Sequence, residues 1–268
     1  MREKLKVLDA LYAAGKLAEA DERLLEWIRE AESKGDKASL LTLYNEMEGL
    51  YRVTGRAEKA CEAADRSLEA VRELSLTGTV HHATSLLNAA TANRAAGHSE
   101  KALSLYQEAE RLYLSMPDLP EQNYHLAALY NNMSQVCQDR GDFAEAELFL
   151  RKALSLIEND KSESDLATTR ANLAQVLAKL GKLEEARQLS SLALSFYESV
   201  EGKKSSHVPA GYFAMGEVCF CLKEYKEALS WFQRALDRSL EIFGETPEAG
   251  SIRSAIQETR RRLEADAP

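Results

Sequence analysis

An alanine stands five residues after a helix-breaking position six times along this chain. Successive alanines are 40, 42, 44, 40 and 42 residues apart, by subtraction of their numbers. They are Ala20, Ala60, Ala102, Ala146, Ala186 and Ala228. The breaking positions are Gly15, Gly55, Gly97, Gly141, Gly181 and, as the exception, Lys223. A fixed period of this length predicts stacked supersecondary repeats, and stacked repeats present extended surfaces that suit binding.

Small residues recur at fixed distances on both sides of each breaking position. Seven residues before it stand Leu8, Glu48, Ala90, Ser134, Ala174 and Gly216. Twelve residues after it stand Trp27, Ser67, Ala109, Ala153, Ala193 and Ala235. Offsets of three and four residues share one face of a helix, so each unit is predicted to be a helix, a turn and a second helix. The small residues would let the two helices of a unit approach closely.

The pattern resembles the tetratricopeptide repeat, most clearly in YNNMSQVCQDRGDFAEAELFLRKAL from Tyr130 to Leu154. The ordinary repeat has 34 residues and a proline near its end, whereas the step here averages about 42 residues and lacks that proline. The longer helices, with connectors such as FGETPEAGS and GKKSSHVPAG, resemble the variant found in kinesin light chains and many bacterial proteins. The resemblance therefore suggests a bacterial protein of that variant.

This resemblance implies an all-α fold, a right-handed α-solenoid of six helix-turn-helix repeats with a C-terminal capping helix. We expect a single array over 1–268, because no Pro-rich or Ser/Gly-rich linker divides it. The expected repeats lie near 1–34, 37–74, 79–116, 121–160, 163–201 and 205–243. The expected helices are 2–14, 17–33, 37–54, 57–73, 80–95, 99–114, 121–139, 143–159, 163–180, 183–201, 205–222 and 225–243, followed by the capping helix at 248–264. In that last helix Ile252, Ile256 and Leu263 would form a buried stripe.

Charge and hydropathy exclude several classes of partner. The chain has 34 basic and 43 acidic residues and a net charge of −9, which disfavours a nucleic acid partner. Its N-terminus is charged, and no apolar run approaches the roughly 20 residues that span a bilayer. We expect a soluble, cytoplasmic protein without a membrane partner. No phosphate-binding loop, metalloprotease motif or nucleophile elbow occurs, so we expect no enzyme and no cofactor.

The cysteines and histidines do not form a metal-binding pattern in the sequence. Cys137 and Cys219 fall on a position where other repeats carry large apolar residues, so we expect them to be core residues rather than parts of disulfides. Cys219 and Cys221 point to different faces of one helix. The histidines lie mostly at helix starts or in connectors, which favours surface positions. No metal site is predicted.

The resemblance implies that one face of each first helix lines a concave groove. Nine residues before the breaking position stand Asn88, Asn132 and Asn172, with Asn131 beside them and Ala214 in the sixth repeat. Six and three residues before it, the same face carries further polar groups: Gln135, Gln175, Glu217, Arg52 and Arg94. Asparagine within a helix costs several tenths of a kcal/mol relative to alanine, so three in register require a reason.

Two explanations of these asparagines remain open. Their amides either clamp the backbone of an extended ligand or bond across to the neighbouring repeat. The first explanation predicts that the amides make no hydrogen bond within the fold.

We expect a protein-interaction module that binds an extended peptide or partner segment. The alternatives are a sensor of a small signalling peptide and a self-associating structural scaffold. Light scattering would distinguish the scaffold from a monomeric binder, because only the scaffold requires a stable oligomer. The Lys and Asn clamp of chaperone-tail binding repeats is absent from the corresponding positions.

Overall fold

The computed structural model describes residues 1–158 and 162–266, and its regular structure there is helical throughout. Thirteen α-helices and one short 3-10 helix occur within these residues, with no β-strand among them. The α-helices are α1 Arg2–Ala13, α2 Leu17–Lys34, α3 Lys37–Val53, α4 Ala57–Glu73, α5 Val80–Ala95, α6 Ser99–Leu114, α7 Gln122–Asp139, α8 Phe143–Ile157, α9 Glu163–Lys179, α10 Leu183–Tyr197, α11 Val208–Cys221, α12 Tyr225–Phe243 and α13 Pro247–Ala265. The predicted all-helical fold is confirmed.

Most predicted helix ends agree with the structure to within one residue, and the largest difference lies between α10 and α11. α10 ends at Tyr197 rather than at 201, and α11 begins at Val208 rather than at 205. The intervening Gly202–Lys204 form the 3-10 helix. A Cβ on Gly202 would lie 2.0 Å from the carbonyl oxygen of Phe196, so the chain folds back too tightly there for α10 to continue. The predicted ends of the fourth repeat, at 159 for the helix and 160 for the unit, lie outside the described residues.

Every predicted helix-breaking residue adopts the left-handed backbone conformation. Their φ angles are 66° at Gly15, 74° at Gly55, 80° at Gly97, 78° at Gly141, 76° at Gly181 and 62° at Lys223. This region is open to glycine and unfavourable for side chains with a Cβ. The turn at Lys223 nevertheless closes like the others, since the Glu224 N–H donates to the Cys219 carbonyl at 2.9 Å. The lysine holds a glycine conformation at a steric cost.

The alanine series lies where the two helices of a hairpin touch. All six alanines that define the repeat have no exposed surface. Gly216 shows how close the approach is, because a Cβ there would lie 2.5 Å from the Cδ1 of Phe232. The small-residue stripe is therefore the contact between the helices of each unit, as predicted.

The helices form two compact units, Met1–His125 (unit 1) and Leu126–Pro268 (unit 2). In unit 1, α3 packs on α4 and α5 packs on α6, and α3 also contacts α5. In unit 2, α9 packs on α10 and α11 packs on α12, and α9 also contacts α11. A first helix thus touches both its hairpin partner and the first helix of the neighbouring repeat. A single array over 1–268 stays a prediction.

The packing between first helices corrects the prediction for one residue. Ala214 was expected on an accessible groove face, but it is fully buried. It belongs to the same core cluster as Ala167 and Ala171 of α9. The prediction was wrong because it considered only the hairpin partner of α11 and not the neighbouring first helix.

The C-terminal helix and the cysteines behave largely as predicted. α13 packs on α12 and buries Ile252 and Ile256, while Leu263 is half-buried. Cys137 and Cys219 are each 1 % exposed, and all four cysteines are free thiols. Within the described residues no helix combines the length and the apolar character that crossing a membrane requires.

Candidate ligand-binding faces of the first helices

The nine residues predicted to line a groove all retain contact with solvent. We call the side of α3, α5, α7, α9 and α11 that carries them the first-helix face. Arg52 is exposed, and the other eight are half-buried: Asn88, Arg94, Asn131, Asn132, Gln135, Asn172, Gln175 and Glu217. The structure places Arg52, Asn88 and Arg94 in unit 1 and the others in unit 2. Each unit therefore has its own candidate face.

In unit 2 a pair of asparagines joins two neighbouring first helices. The Asn172 side-chain N–H donates to the Asn131 Oδ1 at 2.9 Å. Asn131 in turn donates its Nδ2 to the Thr169 hydroxyl at 2.8 Å and to the Ala127 carbonyl at 3.0 Å. Thr169 is only 1 % exposed, so its hydroxyl depends on this bond. This arrangement ties α9 to α7.

The same arrangement recurs in unit 1. The Asn88 Nδ2 donates to the Asn45 Oδ1 at 3.2 Å, and the Ser67 hydroxyl donates to the same oxygen at 2.9 Å. In both units an asparagine ten residues before one breaking position accepts from an asparagine nine residues before the next. The sequence analysis did not include Asn45 among the candidate groove residues, because it considered the position ten residues before the break only for the chaperone-tail clamp.

These bonds show which asparagine side chains join neighbouring repeats. The expectation that the amides hold nothing within the fold is wrong for Asn88 and Asn172, because both donate to a neighbouring repeat. Asn132 differs from its neighbour Asn131: among residues 1–158 and 162–266 its amide has no hydrogen-bond partner. Gln135, one turn further along the same face, likewise has none within the described chain. Ligand binding by any of these residues stays a prediction.

The charged groups on the unit 2 face neutralise one another. Glu217 accepts from the Gln175 Nε2 at 2.9 Å, and its other oxygen lies 2.8 Å from the Lys179 Nζ. The positive charge of Lys179 and the negative charge of Glu217 cancel within this half-buried ion pair. The unit 2 face is therefore polar, neutral and rich in amides.

Unit 1 differs by two carboxylates of α3: Glu46 is half-buried, and Glu48, which stands at the position of the small-residue stripe, is buried. Glu48 is 3 % exposed, and burial raises its pKa to about 7, against the opposing effect of Arg52, whose Nε lies 3.5 Å from Glu48 Oε1. Burial, followed by the Asp9 carboxylate, also raises the pKa of Glu46. Arg52 thus has a carboxylate neighbour on its own helix, and its charge is partly balanced.

Two side-chain groups bring metal-binding donor atoms within 4.8 Å of one another. One consists of Glu58, Cys61 and His98 in unit 1, and the other of Cys219, Glu224 and Glu227 in unit 2. The sequence analysis predicted neither, because the residues of each group fit no known metal-binding spacing.

Comparison with known families agrees with the repeat geometry. The sequence matches the tetratricopeptide repeat at residues 39–115, 165–241 and 126–159, which is more than half of the 268 residues. The chain belongs to the tetratricopeptide repeat family. No curated protein matches its sequence significantly.

Solved structures share the fold of this tetratricopeptide repeat protein at low sequence identity. NprR in complex with its cognate peptide NprX is 15 % identical with a TM-score of 0.71, over 99 % of this chain and 74 % of NprR. A Rap protein complexed with competence and sporulation factor is 14 % identical with a TM-score of 0.67, over 97 % of this chain and 74 % of the other. A P. anserina protein described as a kinesin light chain with nearly identical repeats is 14 % identical with a TM-score of 0.57, over 75 % of this chain and 95 % of the other. The kinesin light chain resemblance is confirmed at the level of fold.

Proposed function

We propose that this chain is a non-catalytic protein-interaction module that binds an extended peptide or partner segment on its first-helix face. The observation that carries the proposal is the contrast between Asn131 and Asn132. The first amide is committed to the fold, whereas the second has no partner within the described chain and reaches solvent. A primary amide offers two donors and an acceptor, which matches the N–H and C=O groups of an extended backbone.

The Asn131–Asn172 pair supports this role by fixing the helices that carry the free amides. Asn132 and Gln135 are three residues apart on α7, so they lie on one side of the helix. Their spacing suits contacts to successive backbone groups of a strand-like ligand, which recognition of main chain requires. Because the Lys179–Glu217 pair cancels its own charge, the face favours a ligand segment of low charge.

The neighbouring structures favour a short peptide as the ligand. NprR and the Rap protein are both in complex with peptides, and they align with 99 % and 97 % of this chain. We therefore keep a sensor of a small signalling peptide as the second candidate function. The proposal includes a cytoplasmic site of action, which the free thiols at core positions support.

Display of random peptides against the immobilised protein tests the proposal. We expect enrichment of related extended sequences, and fluorescence anisotropy of one labelled member should give saturable binding that the unlabelled peptide competes away. Light scattering on the same preparation should show a monomer at micromolar concentration. A stable oligomer from which no peptide is enriched would contradict the proposal and favour the structural scaffold.

A further inference from the structure

A thiol, an imidazole and a carboxylate meet in unit 1, away from the first-helix face. Cys61 and Glu58 belong to α4, and His98 precedes α6. One donor atom from each lies within 4.8 Å of the other two, and the Nε2 of His98 is 3.9 Å from the Oε1 of Glu58. This second distance is too long for a hydrogen bond, so the two groups face each other without direct contact.

The repeat architecture itself produces this meeting. Glu58 and Cys61 are three residues apart on α4 and therefore share a face. His98 follows Gly97, whose φ of 80° reverses the chain, and its backbone N–H donates to the Asn93 carbonyl at 2.8 Å. Because α4 packs on α5, the turn after α5 brings His98 to the side of α4. The backbone of all three residues is thus fixed by the fold.

The three donor types are those that zinc prefers. In zinc sites the metal lies about 2.0–2.1 Å from imidazole nitrogen and carboxylate oxygen and about 2.3 Å from thiolate sulfur. Tetrahedral angles then place the donor atoms roughly 3.3–3.6 Å apart. The observed separations, up to 4.8 Å, exceed this range, and the exposed Glu58 and His98 side chains have room to rotate towards a bound ion. We propose that Glu58, Cys61 and His98 form a zinc-binding site that links the second repeat to the third, with water as the fourth ligand.

The surroundings of the site suit a cation that enters from solvent. The Glu58 and His98 side chains are 74 % and 48 % exposed, whereas Cys61 is 8 % exposed. Burial raises the pKa of the Cys61 thiol most strongly, the Glu58 carboxylate raises it further, and the Lys101 ammonium acts in the opposite direction. Binding of zinc would displace the thiol proton, and the Glu58 carboxylate would supply a second negative donor. The cation would be held between a fixed sulfur and two accessible side chains.

The second group of donor atoms, in unit 2, should bind zinc less well than the group in unit 1. It offers one thiol and two carboxylates, Glu224 and Glu227, and no imidazole. Glu224 is also paired with the Arg187 guanidinium, which competes with a cation for this carboxylate. Zinc should therefore select the group in unit 1.

Titration of the metal-free full-length protein with zinc chloride, followed by calorimetry, tests the site. We expect one zinc per chain, and Cys61→Ser and His98→Gln should each weaken the affinity at least tenfold. The matched controls are Cys221→Ser and His81→Gln, which change the same residue types elsewhere and should bind zinc like the unchanged protein. With cobalt as the probe, the sulfur-to-metal charge-transfer absorption should appear and should be lost in Cys61→Ser.

The folding of each variant is checked by its helical circular dichroism and melting in EDTA. Since His98 is exposed, His98→Gln should fold normally even if the buried Cys61→Ser does not. Zinc should raise the melting temperature of the unchanged protein but not that of folded His98→Gln. The proposal is overturned if zinc does not bind the unchanged protein at micromolar concentration, or if folded His98→Gln binds it with unchanged affinity.

Discussion

The two units use one hydrogen-bonding scheme between first helices but surround it with different chemistry. In unit 1 the Asn88–Asn45 bond lies beside Glu46 and Glu48, and in unit 2 the Asn172–Asn131 bond lies beside neutral groups. At seven residues before the breaking position, unit 1 carries Glu48 where the corresponding residues of unit 2 are Ser134, Ala174 and Gly216. The amide pairs therefore contribute to the packing of the first helices, while the residues next to them differ in charge between the two units.

A second contrast concerns the position nine residues before the breaking position in the second and fourth repeats. Unit 1 has Glu46 there and unit 2 has Asn132. Burial of Glu46 raises its pKa, whereas Asn132 is uncharged at every pH and has no partner within the described residues. From this difference we expect recognition of a ligand backbone to depend on unit 2, and the pH dependence of stability to arise in unit 1.

The largest expected difference between the units is the pH dependence of stability caused by Glu48. Its pKa is raised from 4.5 in the unfolded chain to about 7 in the fold. Below pH 4.5 the carboxyl is neutral in both states, and as pH rises towards 7 the unfolded chain releases its proton first, so stability falls. Glu48→Gln should match the unchanged protein near pH 4.5 and exceed it by about 1–3 kcal/mol at pH 8.

Urea denaturation at a series of pH values measures this effect. Ser134→Ala, the corresponding change in unit 2, should leave the shape of the pH profile unaltered. An unchanged slope between pH 4.5 and 7 in Glu48→Gln would show that Glu48 titrates normally and that unit 1 does not differ from unit 2 in this respect.

Within unit 2, adjacent asparagines should differ in their contribution to folding. Asn131→Ala removes three hydrogen bonds and leaves the buried Thr169 hydroxyl unpaired, so it should destabilise by about 1–2 kcal/mol. Asn132→Ala should be neutral or stabilise by up to about 0.5 kcal/mol, because alanine is the better helix former. Equal losses in urea denaturation would mean that both amides belong to the scaffold.

The equivalence of the two amide pairs can be measured with double-mutant cycles. Alanine at Asn131 and Asn172, singly and together, should give a coupling energy of about 0.5–1.5 kcal/mol, and so should alanine at Asn45 and Asn88. Additive losses in one pair but not in the other would break the comparison, since the units would then not share a scheme.

A smaller effect is expected at the turns inside the hairpins, where unit 1 has Gly15, Gly55 and Gly97 and unit 2 has Lys223 between α11 and α12. Lys223→Gly should stabilise by about 0.5–1 kcal/mol, because it removes the cost of a left-handed side-chain-bearing residue. Gly181→Ala is the matched control: its Cβ would meet no atom within 4 Å, so a loss of about 1 kcal/mol would reflect its φ of 76° alone. If thermal melting shows that Lys223→Gly is less stable than the unchanged protein, the Lys223 side chain makes a contact whose stabilisation exceeds the cost of its left-handed backbone conformation.

The sequence predicted the repeats well because they depend on local rules. Helical periodicity, turn positions and the alanine contacts within each hairpin follow from spacing along one chain segment, and all six alanines are buried. The same spacing predicts that the nine face residues keep some contact with solvent, although only Arg52 is exposed and the others are half-buried.

What the sequence could not predict depends on contacts between repeats. Asn131 and Asn132 differ by about 100° around α7, and Asn131 is the bonded one because Thr169 and Asn172 of α9 reach it. Ala214 is buried by the same kind of contact, and His98 meets Cys61 only because the turn after α5 lies beside α4. The sequence period predicts the helices and turn of each repeat, but it does not predict which side chains meet between neighbouring repeats.

The affinity of a display-selected peptide for the Asn132→Ala, Gln135→Ala double variant tests the central claim most directly. Each lost hydrogen bond to a buried ligand group costs on the order of 1–3 kcal/mol, so fluorescence anisotropy should show a loss of at least tenfold. The melting temperature should stay unchanged or rise, and Glu46→Ala, the corresponding change in unit 1, should bind the peptide normally. Full affinity in the folded double variant would contradict the account and place peptide recognition on another surface.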